Sequence, residues 1–232
     1  WRGAVFGIVI FDQLRHCYGI KPPISRDMPA PMSLPANEKP ASLLLSHYIQ
    51  VFDNAFPAAF CEQMLQSFNS LARFHKQNGR GVRAGHDASA WTELDISPLT
   101  DVSFRQIILA NMHKHLALYN AAIAHLAPVP TLAIPGSDKI SELIIKRYRP
   151  NADEAFQLHF DALGAVANRY MVFLWYLNDV IEGGETEFPA LNVSVAPRAG
   201  RLVMFPPYWM YQHQGKAPRS GEKYIFSSYF LF

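Results

Sequence analysis

Beyond Ser141 the chain breaks into six short apolar segments, ELIIKRY, FQLHFD, RYMVFLWYL, NVSVA, RLVMF and KYIFSSYFLF, with Asn, Asp, Gly or Pro clusters between them. Short strands at close spacing, separated by turn residues, point to a sandwich or jelly roll rather than to a parallel α/β sheet. Upstream, Phe60, Met64, Leu65, Phe68 and Leu71 recur at helical spacing and give one apolar face through about residue 75. Phe104, Ile107, Ile108, Met112, Leu116, Tyr119 and Ile123 do the same from about Asp101 to Leu126, where Pro128 and Pro130 stop the pattern. The expected fold class is therefore α+β with a mainly β core, its two helices covering one face of the jelly roll.

The segment from Lys21 to Pro40 carries six prolines, which deny regular structure its backbone donors and favour an extended connector. Residues 1–40 are thus expected to be an N-terminal extension. Residues 41–232 are expected to form one domain, with a helical support region over 41–140 and the jelly-roll core over 141–232. Leu43–Phe52 is expected as a strand, and Asp53 or Asn54 as the cap of a helix with Pro57 in its first turn. Residues 78–97, rich in glycine and small polar groups, are expected as loop, with WTELDI able to form a short strand.

Composition narrows the partners. The 232 residues are half hydrophobic, and 21 basic against 19 acidic side chains leave a net charge of only +2. No global field marks nucleic acid or an anionic membrane, and neither is expected as a partner. Ala4–Phe11 is too short an apolar run to span a bilayer. Two cysteines, Cys17 and Cys61, supply no disulfide framework, so a reducing cytoplasmic setting is the expectation. Oligomeric state is left open.

His159 and Asp161 stand two positions apart on the expected strand FQLHFD, so their side chains share one face and can meet one metal. His213 follows 52 residues after Asp161, enough chain to fold back across a jelly roll. Two histidines and one carboxylate occupy one triangular face of an octahedral ion, as in non-haem Fe(II) oxygenases. The three remaining positions suit a bidentate 2-oxo acid and dioxygen. Lys223 stands ten residues after His213 and opens a terminal strand with no other charge through Phe232. An ammonium entering a barrel needs an anion, and the distal carboxylate of 2-oxoglutarate is a suitable one.

These residues carry a resemblance. His159-Phe160-Asp161, YLNDVIEGGETEFP from Tyr176 to Pro189, VAPRAGRLVMFPP from Val195 to Pro207, and His213 with Lys223 ten residues on resemble the prolyl 4-hydroxylase-like branch of the 2-oxoglutarate/Fe(II) dioxygenases. The resemblance covers roughly residues 143 to 232. It implies a double-stranded β-helix, Fe(II) on His159, Asp161 and His213, and 2-oxoglutarate as co-substrate, with ascorbate as an optional accessory. It further implies that Lys223 and Thr186 touch the distal carboxylate of 2-oxoglutarate and that Tyr148 lines the same pocket. Where this branch commonly has tryptophan beyond the lysine, the chain has Tyr229. Asp161 argues for hydroxylation over halogenation, because related halogenases place a halide where the carboxylate would be.

The expected activity is oxidation of an unactivated C–H bond with dioxygen, the lead substrate class being a prolyl or other peptidyl residue. A free amino acid or small metabolite is the alternative substrate. A non-oxidative cupin-like metal protein is the alternative of another class. Lys146, Arg147 and Arg149 form the densest basic cluster and are expected at a solvated strand end. His86-Asp87, in the glycine-rich loop, is expected at the surface.

Overall fold

The run RYMVFLWY from Arg169 to Tyr176 is apolar without alternation because its strand has no solvent face. In the computed structural model, which describes residues 44–124, 126, 132–150 and 153–232, this strand (β6) is an interior strand of a seven-stranded antiparallel sheet. Met171, Phe173 and Trp175 point to a core shared with two helices, whereas Val172, Leu174 and Tyr176 point into a second core between two sheets. Alternation is present, with apolar groups on both faces.

The large sheet is ordered β1 (Gln50–Phe52), β9 (Leu202–Phe205), β6, β11 (Lys223–Leu231), β4 (Ile144–Tyr148), β3 (Ala90–Asp95) and β2 (Lys76–Gly79). A smaller sheet runs β5 (Phe156–His159), β10 (His213–Gly215), β7 (Thr186–Phe188) and β8 (Val193–Val195). All recorded pairings are antiparallel. The two sheets face each other as a jelly roll.

Helices α1 (Ala58–Ser70) and α2 (Val102–Ile123) cover the outer face of the large sheet. Helix α1 buries Phe60, Cys61, Met64 and Phe68, and α2 buries Phe104, Ile108, Met112, Leu116, Tyr119 and Ile123, close to the faces expected from spacing. Asp101 caps α2 by accepting the Phe104 amide at 2.8 Å. The start of α1 differs from expectation: Pro57 is its N-cap and no side chain bonds there. Asp53 is instead paired with Arg201, whose Nε lies 2.6 Å from its carboxylate.

Two other local expectations change. The segment expected as one strand from Leu43 begins as a 3-10 turn, Leu45–Tyr48, and only Gln50–Phe52 pairs, with β9. In the segment expected as loop, WTELDI forms β3, the short strand allowed there, whereas the end of β2 is new, and the two extend the large sheet beyond β4. Pairing with Thr92, Glu93, Leu94 and Asp95 gives β4 a second neighbour and encloses its inner face. The N-terminal extension, Ala4–Phe11, the proline-rich connector and the helix-stopping Pro128 and Pro130 lie outside the described residues.

Candidate active site

The barrel interior is polar because strands of both sheets turn chemical groups inward. On β11, period-two alternation sends Tyr224, Phe226 and Phe230 to the helix-side core and presents Lys223, Ile225, Ser227 and Tyr229 to the cavity between the sheets. On β4, Ile145 faces the helices while Lys146 and Tyr148 face the same cavity. The small sheet contributes His159, Thr186 and His213.

His159 ends β5 and sits directly across from His213 at the start of β10. Asp161 lies two residues past the end of β5, a difference from the single strand expected. Its amide and that of Ala162 both donate to the carbonyl of Pro207 at 3.0 Å, which holds the carboxylate in line with the two rings. The six-residue signal therefore remains legible although its last member leaves the sheet.

One donor atom from each of His159, Asp161 and His213 lies within 4.8 Å of the others. His159 Nε2 is 3.5 Å from Asp161 Oδ1, and His213 Nε2 is 3.5 Å from Asp161 Oδ2. The opposite ring nitrogens are committed, His159 Nδ1 to the carbonyl of Gln157 at 2.8 Å and His213 Nδ1 to that of Tyr211 at 3.0 Å. A carbonyl can only accept, so each Nδ1 carries the proton and each Nε2 presents a lone pair inward. Asp161 Oδ2 is buried without a hydrogen-bond donor. A buried acceptor left in this state, aimed at two imidazole lone pairs, fits a cation.

The electrostatics agree. Burial pushes the His213 imidazole down to about 4, so the ring is neutral at pH 7 as a ligand must be. Burial by itself opposes ionisation of Asp161, but the surrounding charge, Arg169 included, holds its carboxyl well below the usual carboxylate range. Tyr229 also donates to Asp161 Oδ1 at 3.1 Å. Tyr229, the position where the related branch commonly has tryptophan, thus supports a candidate ligand. Its signal in the sequence was its even spacing from Lys223 along one strand.

Lys223, only 2 % exposed, projects into the same cavity from the other end. Its Nζ donates to the Gly184 carbonyl at 2.9 Å and lies 4.8 Å from the centre of the Tyr148 ring, its cross-strand neighbour. Burial pushes this ammonium down to about 7, with Glu185 opposing and Lys146 reinforcing the drop. Two of its three N–H groups remain for a ligand. Thr186, also buried, shares a 2.6 Å hydrogen bond with the Tyr176 hydroxyl, which also donates to the Val195 carbonyl at 3.1 Å. Gly184 and Gly215 make room: a Cβ at Gly184 would meet Lys223 Cδ at 3.2 Å, and one at Gly215 would meet its Nζ at 3.4 Å. All six residues expected at the site line this one cavity.

Above it opens a second chamber of about 530 Å³, walled by Arg83, His86, Glu93, Lys146, Leu163 and Arg169 among others. His86 was expected at the surface, but its ring packs edge-on against Trp91 and Phe156 at 5.8 and 5.3 Å. Lys146 was expected at a solvated strand end and instead lines both chambers. The dense local charge KRYR masked the alternation that sends Lys146 inward and Arg147 toward Phe68 of α1, 5.7 Å from its ring.

Residues 143–231 match the model of the 2OG-Fe(II) oxygenase superfamily. This match and the triad beside a buried lysine define the class of this segment: residues 143–231 are a 2OG-Fe(II) oxygenase domain, a class whose co-substrates are 2-oxoglutarate and dioxygen. Its fold is that of the prolyl 4-hydroxylases. The chain is 20% identical to a Pseudomonas putida prolyl-4-hydroxylase, with a TM-score of 0.56 over 80% of this chain and 93% of that one. A Trichoplax adhaerens prolyl hydroxylase, solved with a hypoxia inducible factor peptide fragment, gives 16% identity and a TM-score of 0.57 over 80% and 84%. The viral collagen prolyl hydroxylase of Paramecium Bursaria Chlorella virus-1, as its 2OG complex, gives 18% and 0.50 over 79% and 95%. A search of curated proteins returns no significant match.

Proposed function

We propose that this protein hydroxylates a prolyl or other peptidyl residue, with His159, Asp161 and His213 holding Fe(II) and Lys223, Thr186 and Tyr148 lining the pocket for 2-oxoglutarate. The observation that carries the assignment is one cavity with three converging ligand atoms at one end and a buried, incompletely paired ammonium at the other. That polarity matches a co-substrate that chelates a metal through one end and presents a carboxylate at the other. The peptidyl substrate class rests on likeness to the prolyl hydroxylases and on the open chamber above the triad.

The bound metal, with 2-oxoglutarate and dioxygen, supplies the oxidation, in which the 2-oxo acid becomes succinate and carbon dioxide and one oxygen atom enters a substrate C–H bond. The chain supplies position and enclosure. Nδ1 protonation fixes each histidine's tautomer, and the Pro207 carbonyl and the Tyr229 hydroxyl fix Asp161. Lys223, with Thr186 beside it, orients the far carboxylate, while Val172, Leu174 and Ile225 keep the pocket wall apolar.

Adding Fe(II) and 2-oxoglutarate without oxygen should produce the visible charge-transfer band of the chelate. Blocked proline-containing peptides should then raise succinate release in air above the uncoupled rate. Absence of the band together with absence of succinate would overturn the assignment.

A further inference from the structure

Lys146 stands in the wall between the inner cavity and the outer chamber. Its ammonium rests over the rings of Phe156 and Trp91, 5.0 and 5.4 Å from their centres. Those rings stack on each other at 4.7 Å, so they form a rigid platform rather than a loose apolar contact. Among the described residues, the Lys146 ammonium makes no hydrogen bond and no ion pair. The carboxylates whose charge it feels are engaged elsewhere. Asp161 faces the two histidines and Tyr229, and Glu93, its cross-strand neighbour, accepts from Trp91 Nε1 at 2.7 Å.

A half-buried cation held on aromatic rings but with no anionic partner gains further when an anion arrives. The other cations of the chamber are placed differently. Arg169 lies over the Tyr229 ring at 3.9 Å and donates to the Asp161 carbonyl at 3.3 Å, and Arg83 is in an exposed stretch. Lys146 alone of these three projects into both chambers.

We propose that Lys146 is a specificity-determining residue that receives a carboxylate of the substrate, carried close to the carbon to be oxidised. This deepens the hydroxylase assignment and rests on it. The carboxylate has two chemical sources, an acidic side chain next to the target proline or the α-carboxylate of a free amino acid. Both would draw their affinity from the same ammonium on its aromatic platform.

The test is equilibrium binding to the full chain, followed by tryptophan fluorescence, with three probes: an end-blocked Ala-Glu-Pro-Ala peptide, its Gln counterpart and free L-proline. A charge-assisted hydrogen bond at this half-buried position corresponds to about a tenfold preference. The Glu peptide or free proline should therefore bind at least about tenfold tighter than the Gln peptide. Lys146→Met should erase the difference, and Lys146→Glu should reverse it, so that the Gln peptide binds tighter than the Glu peptide. Preference for the Glu peptide names the side-chain source, and preference for proline the free amino acid. Equal binding of all three probes to wild-type protein overturns the proposal. So does an effect of Lys146→Met on 2-oxoglutarate affinity alone, which would make this lysine part of the co-substrate pocket. The anaerobic chelate band of the wild-type protein reports separately on the oxygenase assignment.

Discussion

Replacing Lys223 with methionine should make the ligand-free protein more stable while disabling co-substrate binding. Methionine keeps much of the lysine's apolar stem and removes only the ammonium, which is buried with a single carbonyl partner. A drop in the lysine pKa from 10.5 to about 7 corresponds, at 1.36 kcal/mol per pH unit, to an order of 5 kcal/mol as a ceiling. Half of that would raise Tm by about 5–10 °C for a chain of this length. The sign with pH is fixed. Between pH 7 and 10.5 the unfolded lysine holds a proton that the folded one has lost, so wild-type stability rises with pH through this window. Below pH 7 both forms are protonated and the penalty stays at its maximum.

The advantage of the Lys223→Met variant should thus be largest at pH 7 and shrink toward pH 10. Scanning calorimetry of metal-free protein at those two pH values measures it. Anaerobic titration with Fe(II) and 2-oxoglutarate should show affinity reduced about 100-fold, the loss of charge-assisted bonds to a carboxylate. A variant less stable than wild type at pH 7, a difference that does not change with pH, or an unaltered 2-oxoglutarate affinity would each refute the reasoning.

Tyr229→Phe removes the hydroxyl that donates to Asp161 and should weaken Fe(II) binding about 10- to 100-fold with little change in Tm, as read by competition with a metal-sensing dye. Gly200→Ala should destabilise by about 2–4 kcal/mol in urea unfolding, because Gly200 has φ +76° and a Cβ there would meet the Phe56 carbonyl at 2.3 Å. Glu154→Ala should cost about 1–3 kcal/mol by the same assay, since this buried carboxylate accepts from the Arg149 amide and guanidinium at 2.7 to 2.9 Å.

What the sequence made legible was whatever repeats over several residues. The two helical stripes and the long strands β6 and β11 announce themselves through many apolar positions, and His159, Asp161, His213 and Lys223 through the spacing of distinctive groups. Strands β7 and β10, at three residues each, are too short to show any period, and polar β2 looks like loop. Lys146 was misread because local charge density was taken as exposure. Its partners in the structure, Trp91 and Phe156, come from strands far apart in the chain and converge only once β3 pairs with β4. Tyr229 was hidden by a comparison that marked it as a departure when its strand parity already placed it beside Asp161.

The direct pairing of His159 with His213 across β5 and β10 has a consequence for assembly of the small sheet. These strands are too brief for their own hydrogen bonds to define one alignment, and a slip by a single residue would turn one imidazole away from the other. Only the correct alignment offers both rings to the same ion. Metal binding would then act as a proofreader, selecting the one alignment that completes the ligand set. In metal-depleted protein, amide hydrogens of β5 and β10 should exchange faster than those of β6 and β11.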